Sequence, residues 1–80
     1  LNYDIVCEKY SGSRILVFLE GVFDDVDVSF KRNTVFVNVR EDSRIIKAVN
    51  IKLKRRIKCV AYKIKNGVLT IDVKYKLFPP

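Results

Sequence analysis

The feature that most constrains this chain is a two-residue alternation of apolar and polar side chains, repeated in short segments. Val35, Val37 and Val39 alternate with Phe36 and Asn38. Val49, Ile51 and Leu53 alternate with Asn50 and Lys52, and Val60, Tyr62 and Ile64 with Ala61 and Lys63. Successive side chains of a strand leave opposite faces, so each apolar set lies on one side of a pleated strand. Segments rich in β-branched and aromatic residues run over about 3–9, 14–20, 26–31, 34–40, 44–53, 57–65 and 68–76. Short segments at this spacing predict an all-β antiparallel sandwich of about seven strands.

Turn residues punctuate the pattern. Asn66-Gly67 lies between two strand segments and predicts a tight hairpin, because both central residues of a type I′ turn need positive φ. Ser11-Gly12-Ser13, Lys31-Arg32-Asn33 and Glu41-Asp42-Ser43 are expected to join the earlier pairs. No segment combines a helical period with a cap; only Phe23 to Asp25 is expected to form a single helical turn. The reading is one domain over 1–76 and a tail over 77–80, with Phe78-Pro79-Pro80 leaving the sheet because proline cannot donate to a ladder.

Eighty residues, 49% of them hydrophobic, support one small core. No apolar run approaches the roughly 18 residues of a membrane span, and LNYDIV lacks the layout of a signal peptide. A cytoplasmic domain is therefore expected. The chain has no methionine, which suggests the ordered part of a longer protein. Histidine, methionine and glutamine are absent while Lys, Arg, Ile and Val abound, a bias of the thermophile type. Cys7 and Cys59 read as ordinary reduced thiols, being too few and too far apart for a metal knuckle or disulfide scaffold.

The missing chemistry is equally informative. Without histidine the chain lacks the commonest general base and metal ligand. No serine or cysteine has a triad partner, and three glycines form no phosphate-binding loop. Asp24, Asp25 and Asp27 cluster, but read as a polar turn whose carboxylates accept backbone N–H bonds rather than as a calcium site. No enzyme, cofactor or metal is expected.

Net charge is +7, unevenly placed: residues 1–42 hold eight acids and five bases, residues 43–80 eleven bases and one acid. The run Lys52, Lys54, Arg55, Arg56 and Lys58 is the candidate for contact with nucleic acid or an acidic protein. Its charges fit a loop between two strands, with Leu53 turned into the core. Single-stranded nucleic acid would call for exposed aromatics among these bases. Tyr62 reads as a core position instead, so nucleic acid is disfavoured as a partner.

Two stretches carry a more specific likeness. Leu19-Glu20-Gly21-Val22 is followed by Phe23-Asp24-Asp25-Val26-Asp27-Val28, and Val60-Ala61-Tyr62-Lys63-Ile64-Lys65 leads into Asn66-Gly67-Val68-Leu69-Thr70-Ile71. Together they resemble the alpha-crystallin domain of the small heat-shock proteins, over most of residues 14–76. That family reads L-P-G-V before an acidic turn and ends its domain on N-G-V-L-T-I. Glu20 replaces the family's proline, and Tyr62 stands where alanine is usual. The few residues between Arg40 and Arg44 leave no room for the extra strand that many members swap into a partner. The chain is thus similar to the short form appended to some arsenical-pump-type ATPases, with an archaeal member in view.

The resemblance implies an immunoglobulin-like sandwich and an ATP-independent chaperone or co-chaperone that binds apolar, extended segments of client or partner proteins. In this family such segments lie on strand edges and in the groove between the sheets. Strand 57–65 is apolar on both faces at its start: Val60, Tyr62 and Ile64 face one way, Ile57, Cys59 and Ala61 the other. The expected binding edge is Ile57, Cys59 and Ala61 with Val26, Val28 and Phe30 of the opposite wall. Ile46 and Ala48 are the candidate homodimer edge. The alternative function is a basic adaptor using the 52–58 run.

Overall fold

The structure is a computed structural model that describes residues 1–77. The predicted departure of Phe78-Pro79-Pro80 from the sheet lies outside them. Seven strands follow in order: β1 (Asn2–Glu8), β2 (Gly12–Phe18), β3 (Asp25–Lys31), β4 (Thr34–Glu41), β5 (Arg44–Lys52), β6 (Ile57–Lys65) and β7 (Val68–Tyr75). They form a four-stranded sheet, β1-β2-β7-β6, and a three-stranded sheet, β3-β4-β5, all pairs antiparallel. The predicted all-β sandwich is thus observed.

The alternation becomes the core. On the larger sheet Ile15 pairs with Ile71 and Val17 with Leu69. On the smaller, Val35 pairs with Ile51 and Val39 with Val26. All eight are buried, and with Val37, Val73, Leu53 and Ile57 they fill the space between the layers. Truncating a fully buried member such as Ile71 to alanine is worth about 2–5 kcal/mol. Beneath them, on β2 and β7, the buried hydroxyls of Ser13 and Tyr75 bond to each other.

Turn chemistry matches expectation at Asn66-Gly67, with φ of 52° and 75°. Asp42-Ser43 adopts the same left-handed pair, 51° and 62°, without a glycine. The Asp42 N–H donates to the Asp24 carboxylate at 2.7 Å, which anchors that turn. The expected helical turn at Phe23–Asp25 is absent. Asp24 N–H instead donates to Arg40 O at 2.8 Å and Asp25 already opens β3, so pairing with β4 takes the backbone groups a helix would have used.

Edge strands show a further regularity. β1, β5 and β6 each carry a register shift, at Val6, Ile46 and Lys58 respectively. A bulge of this kind twists an edge away from further pairing. β3 is the fourth edge strand and pairs with β4 in unbroken register from Asp25 to Lys31.

Candidate functional site

β3 and β6 are edge strands of different sheets and lie against each other along one side of the sandwich. The inner face of β3 carries Val26, Val28 and Phe30, opposite Val39, Val37 and Val35 of β4. The inner face of β6 carries Val60, Tyr62 and Ile64, opposite Val73, Ile71 and Leu69 of β7. Among the described residues neither strand has a further neighbour in its sheet to cover these side chains. Phe30 remains 38% exposed, Tyr62 49% and Ile64 44%, although all three point between the layers. Val28 and Val60 are half-buried at the floor of the same strip, against the core. The result is a partly exposed apolar strip, the β3–β6 groove, bordered by two edge strands.

This arrangement redistributes the residues expected from sequence. Val26 and Ile57 are buried in the core at 4% and 1% exposure, so neither is available to a ligand. Ile57 pairs with Tyr75 and Cys59 with Lys74, so the shift at Lys58 breaks the alternation and returns Ile57 to the inner face. Cys59 and Ala61 are exposed on the outer face, beside Lys74 and Asp72, away from the groove. Val28 is half-buried and Phe30 exposed on the β3 side of the strip. Tyr62, expected in the core, is half-open because β6 ends its sheet.

On the opposite side, β5 exposes Ile46 and Ala48 as the sequence suggested, with Ile45 beside them. Ile46 is the bulged residue there and Ala48 pairs with Asn38. The basic residues Lys52, Lys54, Arg55, Arg56 and Lys58 are all exposed around the β5–β6 connection, while Leu53 is buried. Arg55 lies over the ring of Tyr10, 4.0 Å from its centroid.

The three clustered aspartates serve separate partners. Asp25 accepts from the Val26 N–H at 2.8 Å, Asp24 from Asp42 N–H, and Asp27 from the Arg40 guanidinium at 2.5 Å. The local-cap reading of this turn is therefore met at Asp25. On the outer face of the larger sheet Arg14 bonds Asp72 at 2.7 Å, and the hydrogen bond and charge of Asp72 raise the Arg14 pKa. A concavity of about 570 Å³ beside this pair is walled by Lys9, Lys58 and Lys74 and floored at Gly12. Among the described residues no helix is long and apolar enough to cross a membrane.

Comparison of the chain with family models, curated proteins and solved structures gives no match. The functional reading therefore rests on the groove and the charge distribution themselves. The strands named from the sequence, 26–31 and 57–65, are both edge strands. Sequence reasoning missed the face that β6 presents, because the deciding signal is a one-residue bulge at Lys58 that no composition rule marks.

Proposed function

We propose that this chain is an alpha-crystallin-type domain working as an ATP-independent chaperone or co-chaperone, which holds extended apolar segments of client or partner proteins in the β3–β6 groove. The observation that supports this most is the contrast among the edges. Three of the four are bulged, whereas β3 runs seven residues in regular register beside an open apolar strip. A regular edge offers a row of backbone donors and acceptors, and an extended peptide can add to it as a further strand. Alternate side chains of that peptide would enter the strip formed by Phe30, Tyr62 and Ile64. The outward residues Asp27, Ser29 and Lys31 keep the same edge from pairing indiscriminately. The β5 edge, with Ile45, Ile46 and Ala48, is the surface this reading assigns to a second copy of the chain.

The test is light scattering from an aggregating client, with and without the domain, at low and high salt. Suppression near equimolar ratio should persist at high salt, because apolar contacts are screened little by ions. Replacing Tyr62 and Ile64 by serine should abolish suppression while leaving the urea midpoint close to that of the parent, since both side chains are about half-exposed. Full suppression by that variant would refute the groove as the binding surface.

A further inference from the structure

We propose that one end of the sandwich is a docking surface for the phosphate backbone of double-stranded nucleic acid, read without regard to base sequence. The strand directions bring the β1–β2, β3–β4 and β5–β6 connections and the exit of β7 to the same end. The β5–β6 connection supplies the basic run already described. The other turns add Lys9, Lys31 and Arg32, and the end of β7 adds Lys74 and Lys76. With the five of the run, ten of the chain's sixteen Lys and Arg residues thus gather there, and the acids among them are Glu8 and Asp72, the latter paired to Arg14. The opposite end holds Glu20, Asp24, Asp25, Glu41 and Asp42 interspersed with Arg44, Lys47, Lys63 and Lys65, and so is close to neutral. The domain measures 47 Å by 21 Å by 16 Å, and strands of seven to nine residues at about 3.3 Å per residue separate its two ends by roughly 23–30 Å. The two ends are therefore several Debye lengths apart at physiological salt, where that length is about 8 Å, and do not neutralise each other.

The basic end is held as one body by backbone bonds between its turns. Ile57 N–H donates to Arg32 O and Leu53 N–H to Asn33 O, each at 2.7 Å. The Asn33 side-chain amide donates to Leu53 O at 2.9 Å. Tyr75 N–H donates to Ser11 O at 3.0 Å and Lys76 N–H to Arg56 O at 2.8 Å. Cations on such a frame lose little further backbone freedom on binding. They are also unspent: among the described residues the ion pairs are Arg14–Asp72 and Arg40–Asp27, neither of which uses one of these ten. Like charges gathered this way repel one another and oppose folding, a cost that an even spread would avoid.

The chemistry of the surface selects its partner. An acidic peptide must be ordered as it binds, and apolar anchors ordinarily offset that entropy. Among the described residues the exposed large apolar side chains nearest this end are Tyr10, Leu77 and, beside Lys31, Phe30, few against ten cations. A duplex arrives already ordered, with a charge about every 1.7 Å and counterions to release. Single strands are favoured by several open aromatic faces; among the described residues this end offers Phe30 and Tyr10, and Arg55 covers one side of the Tyr10 ring. A surface up to 21 Å across can reach phosphates on both sides of a groove about 12 Å wide. The expectation against nucleic acid considered the 52–58 run by itself; folding roughly doubles the cations available.

The test is fluorescence anisotropy of a short labelled duplex of mixed sequence, titrated between about 50 and 200 mM salt. Log affinity should fall linearly with log salt. The variant Lys54→Gln/Arg55→Gln/Arg56→Gln should flatten that slope by about 3 and weaken binding on the order of 10²-fold at about 0.1 M salt. Circular dichroism and the urea midpoint establish that the variant is folded. Lys63→Gln/Lys65→Gln, at the far end of β6, should bind as the parent does. The proposal is overturned by no binding at the lowest salt, or by equal losses in the two variants. It is also overturned by tighter binding of the matched single strand, or by equal competition from polyglutamate of the same charge. None of these outcomes bears on client holding in the β3–β6 groove, which is read separately.

Discussion

Tyr75→Phe should destabilise the domain although it removes a single oxygen. The Tyr75 and Ser13 hydroxyls bond each other inside the sandwich, where their residues are 3% and 6% exposed. Among the described residues every buried side-chain polar atom has such a partner. Removing one hydroxyl strands the other without solvent, which costs about 1–3 kcal/mol. Ser13→Ala should cost the same order for the reciprocal reason. The double variant leaves neither group, so its stability should return close to the parent's, with a coupling between the sites close to the sum of the two single losses. Urea unfolding followed by far-UV circular dichroism measures this directly, as shifts in midpoint at constant slope. In thermal melts each kcal/mol corresponds to about 4–8 °C for a domain of this size. Additive losses in the double variant, or single variants that melt with the parent, would refute a paired hydroxyl bridge. The bridge also ties β2 to the exit of β7, so the single variants should loosen the basic end first, seen as faster amide exchange at Tyr75 and Lys76.

Two further outcomes follow from the backbone and the sheet order. Gly12→Ala should cost about 1–3 kcal/mol, because a Cβ there would sit 2.3 Å from the Val73 carbonyl oxygen. Gly21→Ala has open space and only its φ of +83° to oppose it, about 1–2 kcal/mol, so urea midpoints should rank Gly12→Ala no better than Gly21→Ala. Cys7 and Cys59 lie on β1 and β6, the two edges of the four-stranded sheet, three strand spacings or about 14 Å apart. That exceeds the roughly 7 Å limit for a disulfide, so mild oxidation should yield only disulfide-linked dimers or free thiols in non-reducing electrophoresis. An intrachain disulfide in the oxidised monomer, found by mass spectrometry, would contradict the strand order.

Strand identity was legible because it is a local property. The period of two through Val35–Val39 and Val60–Ile64, and the positive-φ preference of Asn66-Gly67, act over a few residues and are visible in their order. So were the burial of Leu53 and the exposure of the 52–58 bases. The Glu41-Asp42-Ser43 turn was legible as well; its left-handed pair without a glycine and its anchor, Asp24, in a different connection were not.

What the order of residues determined alone is thus seven strands, their turns and one apolar face for most of them. Tertiary structure decided which strands are edges, and edges decide which apolar side chains stay open. Tyr62 and Ile64 have the same alternation as Val35 and Val37, yet the latter are fully covered and the former half-open, because β4 is central and β6 is not. The bulge at Lys58 likewise arises in pairing with β7 and moves Ile57 from a predicted binding edge into the core. Charge behaves the same way: the chain shows a basic second half, while antiparallel folding carries Lys9 and Arg32 from the acidic first half to the same end. Strand neighbours are set by contacts between residues distant in sequence, and no local pattern contains that information.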